Sequence, residues 1–142
     1  MTGSPAYVLT QMFTVEVGAA LKTVKLAIIP TGSCEQHGPN MTMETDAAIC
    51  YAIAERLNQQ LYPRAILTPV APWGVSSHHM NFPGTISLQP ETYLALLWDV
   101  VTSLKAPTGF STSCLWNGHG GNMDMLNVIS SKCAPNCIST SR

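Results

Sequence analysis

Val24-Lys25-Leu26-Ala27-Ile28-Ile29-Pro30 is the stretch that decides the fold. It is dense in β-branched and apolar side chains, and Pro30 and Gly32 punctuate its end. That is the pattern of a strand covered on both faces. Ahead of it, residues 14–21 read as a short lead-in helix, although their β-branched content works against one.

Downstream, a helical pattern opens at Thr45. Ile49, Ile53, Leu57 and Leu61 recur every four residues and form one apolar stripe, with Glu55, Arg56, Asn58 and Gln59 on the other side. Thr45 is the expected N-cap, which places Asp46 in the first turn near the free amides. Pro63 ends the element, and residues 65–70 read as a second strand. Residues 73–88 form a long loop rich in Gly, Ser, His and Pro, and so long a loop in an α/β domain suggests a functional role. A second helix opens with Pro90 and Glu91, buries Leu94, Leu97, Val101 and Leu104, and stops before Pro107. Residues 110–116 form a third strand made polar by Ser111, Thr112 and Ser113, and residues 123–129 begin a third helix.

Strand–helix alternation of this kind predicts a mostly parallel sheet with helices on both faces, a three-layer α/β/α sandwich. Ligands of such sheets bind in the crevice beyond the carboxyl ends of the strands. Glu35, His37 and His119 all follow predicted strand ends. Residues 1–129 are expected to form a single α/β domain, and residues 130–142, with Cys133, Pro135 and Cys137, an atypical tail.

At 142 residues the chain suffices for one domain with a real core, and 46% of it is hydrophobic. Only 11% is charged, against about 25% in an ordinary soluble domain. Its polar surface must come from Asn, Gln, Ser and Thr, or part of the surface is covered by other subunits; a homo-oligomer is therefore expected. Lys plus Arg number 7 and Asp plus Glu 8, without runs of either sign, so nucleic acid is not an expected partner. Nothing approaches the roughly 20 apolar residues that span a bilayer, and no basic patch precedes an apolar N-terminal stretch. The expectation is no membrane partner and a cytoplasmic location. Cys34, Cys50 and Cys114 read as small buried hydrophobes, and Cys133 with Cys137 as an incidental pair.

The chemistry concentrates in Glu35-Gln36-His37-Gly38, in Asp46, and in Asn117-Gly118-His119-Gly120-Gly121-Asn122. Two carboxylates and two imidazoles near glycine-rich turns are the ingredients of a metal-dependent hydrolase. Glu35 and His37, two apart, can ligate neighbouring ions, and one carboxylate such as Asp46 can bridge two cations. This oxygen and imidazole set suits Zn²⁺ or Mn²⁺. Each residue alone has a plainer reading: Glu35 as a solvent-facing acid, His119 as a loop histidine, Asp46 as a helix cap.

The stretch Ile29-Pro30-Thr31-Gly32-Ser33-Cys34-Glu35-Gln36-His37-Gly38-Pro39, with Thr45-Asp46 after it, resembles the first metal motif of the creatininase (creatinine amidohydrolase) family. Gly74-Val75-Ser76-Ser77-His78-His79-Met80-Asn81-Phe82-Pro83-Gly84-Thr85-Ile86-Ser87-Leu88 resembles its substrate-side loop, and residues 117–122 its third motif. The resemblance implies a creatininase-like fold, truncated here at its C-terminal part, and a site of two ions, Zn²⁺ or Mn²⁺. Glu35 and His119 would bind one ion, His37 the other, and Asp46 both. A metal-bridged hydroxide would attack the carbon of a non-peptide C–N bond, a cyclic amide or formamide, in a small-molecule substrate. The same resemblance points to His79 as a catalytic or substrate-orienting group, with a structural role as its alternative, and to Ser77 and Gly120 as substrate-side positions. Phe82 to Thr85 read as scaffold. Family members resemble one another in forming ring-like hexamers.

Two departures stand out. Creatininase proper carries a glutamate ligand where Gly121 stands here. The branch with two glycines resembles deformylases of pyrimidine-type intermediates and peptide-processing relatives, in which a glutamate from the C-terminal half completes the second ion's shell. After Asn122 the only acid is Asp124, on a helix leading away. A smaller departure is Asn40, where the family typically has His. The alternative to a working hydrolase is an inactive or partial member serving as an interaction or structural subunit. A nucleotide-binding domain fits the alternation alone, because no glycine-rich phosphate motif follows the first strand.

Overall fold

A computed structural model describes residues 6–105, 109–133 and 137–140. Helix α1 (Thr14–Ala20) leads into strand β1 (Leu26–Thr31). Helix α2 (Thr45–Leu61) and strand β2 (Ala65–Leu67) follow, then α3 (Pro90–Lys105), β3 (Thr112–Asn117), α4 (Met123–Cys133) and β4 (Cys137–Thr140). The described strands pair in parallel, in the order β2-β1-β3-β4.

β1 is central and pairs with β3 along its whole length, from Leu26 opposite Thr112 to Thr31 opposite Asn117. Its side chains alternate between two cores, as the pleat requires. Ile28 packs with Ala54, Ala65 and Leu67 beneath α2. Ile29 packs with Tyr93, Leu97, Val101, Leu115, Leu126 and Ile129 beneath α3 and α4. Ala27 and Ile66 meet Ala20, Val24 and Phe110 beside α1. The helices thus cover both faces, giving the three-layer arrangement expected from the alternation. From β1 the chain passes to β2 on one side and returns through α3 to β3 on the other. The carboxyl ends of β1 and β3 therefore form the point where strand order reverses, which is where such sheets hold ligands.

α3 buries Leu97 and Val101 fully and adds Tyr93, with Leu94 and Leu104 partly covered. α2 departs from expectation. Ile49 and Ile53 are 56% and 47% exposed, while Ala47, Cys50, Ala54 and Asn58 face the protein. The reason is the close approach of its first turns to the chain after β1. A Cβ at Gly32 would stand 2.5 Å from the Cα of Ala47, so only small side chains fit there and the bulky isoleucines turn outward. Nor does Thr45 cap the helix. Glu44 holds that position without a side-chain bond, and the Thr45 hydroxyl donates to the carbonyl of Thr42 at 2.6 Å.

Two described elements extend beyond residue 129. α4 runs past residue 129 to Cys133, and β4 pairs with β3, Ser113 opposite Cys137 to Trp116 opposite Thr140. A four-residue strand with Ser139 and Thr140 in it carries too little hydrophobic pattern to be read from sequence. Among the described residues Cys34, Cys50, Cys114 and Cys133 are free thiols; Cys50 and Cys133 are buried, the other two half-buried. Pro107, Pro135 and the side chain of Cys137 lie outside the described residues. Among the described residues, no helix is long and apolar enough to cross a membrane.

Candidate metal centre

Asp46 sits in the first turn of α2 with each carboxylate oxygen facing a different imidazole. Its Oδ1 lies 2.9 Å from His37 Nε2, and its Oδ2 lies 2.9 Å from His119 Nδ1. The opposite nitrogens of both rings point at backbone carbonyls, His37 Nδ1 at that of Glu35 and His119 Nε2 at that of Val75, each at 3.1 Å. A carbonyl only accepts, so those nitrogens carry the hydrogens. In the neutral rings the lone pairs on His37 Nε2 and His119 Nδ1 therefore turn toward carboxylate oxygens. Lone pair against anion is unfavourable without a proton or cation between them. Imidazoles tied by one N–H to a carbonyl, with the other nitrogen turned into an anionic cluster, have the orientation of metal ligands.

Glu35 completes the cluster. It is buried, and its Oε2 accepts from the Ser33 hydroxyl at 3.3 Å while its Oε1 lies 3.3 Å from His119 Nδ1. Ser33 is itself hydrogen-bonded to the Ser76 hydroxyl, which also lies 3.2 Å from His119 Nε2. Burial lowers the pKa of His37, but the Glu35 carbonyl and the Asp46 carboxylate outweigh it, so the net direction is upward.

Three segments are laced together to make this possible. Asn122 donates to the carbonyl of Gly32 at 3.0 Å and accepts the Val75 N–H at 3.0 Å, joining the loop after β1 to the 73–88 loop. Asn117 accepts from the Thr31 hydroxyl and from the His119 N–H, both at 3.2 Å, and donates to the His119 carbonyl at 2.7 Å. The glycines of the third motif are close-approach positions. A Cβ on Gly118 would stand 2.7 Å from the Asp46 carbonyl oxygen, and one on Gly121 would collide with the Val75 carbonyl and stand 2.5 Å from His119 Nε2. Gly121 thus has no room for a side chain.

Among the described residues, two trios have ligand atoms that all lie within 4.8 Å of one another: Glu35, His37 and Asp46; and Glu35, His78 and His119. His78 was not among the ligands expected from sequence. It is exposed, and its ring stacks on that of His119 with centroids 5.9 Å apart and an angle of 3°. The only advance signal was its membership of an adjacent histidine pair in a long loop. His79, the other member, places Nε2 3.9 Å from Glu35 Oε1 and packs its ring against Phe82 at 5.7 Å. Ser77 is exposed in the 3₁₀ turn, whereas its buried neighbour Ser76 makes the contact with His119. Gly120 is exposed, with open space where a Cβ would be. Asp124 lies exposed in the first turn of α4 and is in neither trio.

With that geometry in hand, the comparisons with known proteins are consistent. A family profile described as creatininase, creatinine amidohydrolase, matches residues 10–140. Over 107 residues the chain is 35% identical to a mycofactocin precursor peptide peptidase of Mycolicibacterium smegmatis, covering 72% of this chain and 42% of that protein. It is 33% identical to a creatinine amidohydrolase of Pseudomonas putida over 104 residues, 67% of this chain and 37% of that one. It is 32% identical to a 3-dehydro-scyllo-inosose hydrolase of Thermotoga maritima, over 74% of this chain and 33% of that protein. The chain therefore spans less than half the length of these relatives. In fold it resembles a solved creatininase in an Mn form, with a TM-score of 0.83 at 22% identity over 96% of this chain and 58% of that one. A creatininase variant of Zn-Zn type gives a TM-score of 0.81 at 23% identity, over 97% and 58%. The chain belongs to the creatininase (creatinine amidohydrolase) family.

Proposed function

We propose that this chain carries the metal-binding half of a hydrolase that cleaves a C–N bond, a cyclic amide or formamide, in a small molecule. The observation that supports this best is the bridging arrangement: His37 and His119 on opposite oxygens of Asp46, each with its far nitrogen on a carbonyl. The donor chemistry fits Zn²⁺ or Mn²⁺. One ion would be held by Glu35, His119 and Asp46, with His78 in reach, and the other by His37 and Asp46, with Glu35 in reach. When bound, two such ions supply the Lewis acidity that polarises a carbonyl and makes water a nucleophile near neutral pH.

The remaining work belongs to the chain's own groups. Ser33 and Ser76 hold the Glu35 carboxylate in place, and Val75 fixes the orientation of His119. His79 stands at the rim of the site beside Glu35, placed to touch a substrate, with Ser77 and Gly120 at the exposed entrance. A homo-oligomer working in the cytoplasm is part of the same reading, and the outward stripe of Ile49 and Ile53 supports the assembly.

A second reading is an inactive or partial subunit. It is favoured by Gly121, where no side chain fits. Elemental analysis of purified protein, together with assays on creatinine, a formamide and a short peptide, separates the readings. Two ions per chain with turnover of creatinine or the formamide supports the hydrolase. Turnover of the peptide alone moves the substrate class to a peptide, as in the name of the Mycolicibacterium relative. One ion or none, with no turnover, supports the second reading.

A further inference from the structure

Gln36 lies between two expected ligands in sequence, and its side chain bonds to Gly38 and His79. Its side-chain Oε1 accepts the backbone N–H of Gly38 at 2.9 Å, and Gly38 has the positive φ of 76° that closes this tight turn. A backbone N–H only donates, so the atom facing it must be the amide oxygen. The other end of the amide is then the NH₂ group, and it lies 3.0 Å from His79 Nδ1. An amide nitrogen only donates, so Nδ1 accepts. The single hydrogen of a neutral His79 ring is thereby assigned to Nε2, the nitrogen 3.9 Å from Glu35 Oε1.

We propose that Gln36 is a positioning residue that fixes His79 in its Nε2–H tautomer, so that His79 offers a hydrogen-bond donor to an oxygen acceptor at the centre. This is the reverse of His37 and His119, which spend their N–H groups on carbonyls and turn lone pairs inward. His79 is also outside both donor trios. The matching ligand group is a carbonyl or carboxylate oxygen. At 25% side-chain exposure the ring is open enough for a ligand to reach it. The tautomer follows from the hydrogen-bond chain alone, whereas identifying the acceptor as a substrate carbonyl rests on the hydrolase reading above.

The test is ¹⁵N NMR of the histidine rings in the full chain, metal-free and after Zn²⁺ addition, at about pH 8, where ordinary imidazoles are neutral. The His79 signals are identified by their loss in His79→Gln. In the unaltered chain one form is expected, with bare Nδ1 and protonated Nε2, and it persists with Zn²⁺. Gln36→Glu keeps an acceptor for the Gly38 N–H but turns a second acceptor on Nδ1, so the hydrogen should move to Nδ1. Gln36→Leu should give a mixture of tautomers. Unchanged His37 and His119 signals show that the fold survives; if Gln36→Glu unfolds, the Gln36→Leu mixture decides the matter.

An Nδ1–H form in the unaltered chain overturns the proposal. So does an Nε2–H form indifferent to both substitutions, or loss of the Nε2 hydrogen on Zn²⁺ binding, which would make His79 a ligand. A chain that binds no metal and hydrolyses nothing would still report the tautomer, so this result and the hydrolase reading fail separately.

Discussion

Gly118 lies so close to Asp46 that a methyl group on the glycine would come within 2.7 Å of the aspartate's carbonyl oxygen. The turn after β3 is thus seated directly on the first turn of α2. That seating places His119, one residue on, opposite the Asp46 carboxylate.

Gly118→Ala should therefore push β3 and α2 apart at the centre. Overpacking of this kind costs about 1–3 kcal/mol, visible as a lower midpoint in urea denaturation. Ion affinity should fall together with stability. A substitution that left both unchanged would mean the two segments can slide freely.

Asp46→Asn keeps the shape of the side chain but removes the charge between His37 and His119. The expected result is at most one ion per chain by elemental analysis. The same substitution should bring the pKa of His37 down, since the Asp46 carboxylate is one of the groups raising it. Histidine titration by NMR checks this in metal-free protein.

The raised pKa of His37 also sets a pH dependence. Its contribution to the metal-free fold is complete below the ordinary value of 6.5 and is lost as pH climbs through the higher folded value. A cation competes with that proton, so Zn²⁺ affinity should move the other way and strengthen over the same range. Denaturation across pH with chelator, set beside calorimetric Zn²⁺ titrations, should show the two trends crossing.

Burial, with a smaller contribution from the Asp46 charge, pushes the Cys50 thiol up to about 11. It stays protonated at neutral pH, and its S–H donates to the Trp116 carbonyl at 3.0 Å. Iodoacetamide should accordingly label half-buried Cys34 well before Cys50, as peptide mapping over a time course would show.

The outward phase of α2 gives a contrast between faces. Ile53→Gln should change the stability of the isolated chain by no more than about 0.5 kcal/mol. Ala54→Leu, on the buried face, should cost about 1–3 kcal/mol. If Ile53→Gln instead lowers the apparent mass by light scattering, that stripe is an interface between copies.

The layered architecture was readable because β1 is so uniformly apolar and because the helices are long enough to show their period. The α2 phase was hidden, since its buried face is made of Ala47, Cys50 and Ala54, which hydropathy ranks below the isoleucines beside them. What selects that face is steric: the approach of Gly32, a fact of three dimensions. The glutamate, the aspartate and both glycine-flanked or glycine-followed imidazoles were visible as motif residues and come together in space. His78 was not singled out, because two adjacent histidines in an irregular loop give no periodicity from which to decide which one reaches the cluster. β4 was missed because a short edge strand with few apolar positions resembles a loop in sequence.

The pairing of Asp46 with His119 spans 73 residues of chain. Any cation gripped by both would act as a clasp across α2, β2, α3 and β3 together. Binding only to the folded form, it would add stability that rises with free ion concentration, about 2.7 kcal/mol at a hundredfold excess over Kd. The order of biosynthesis follows from that span. The clasp cannot close until His119 has emerged, so tight retention of the ion would mark a nascent chain whose central strands had already come into register.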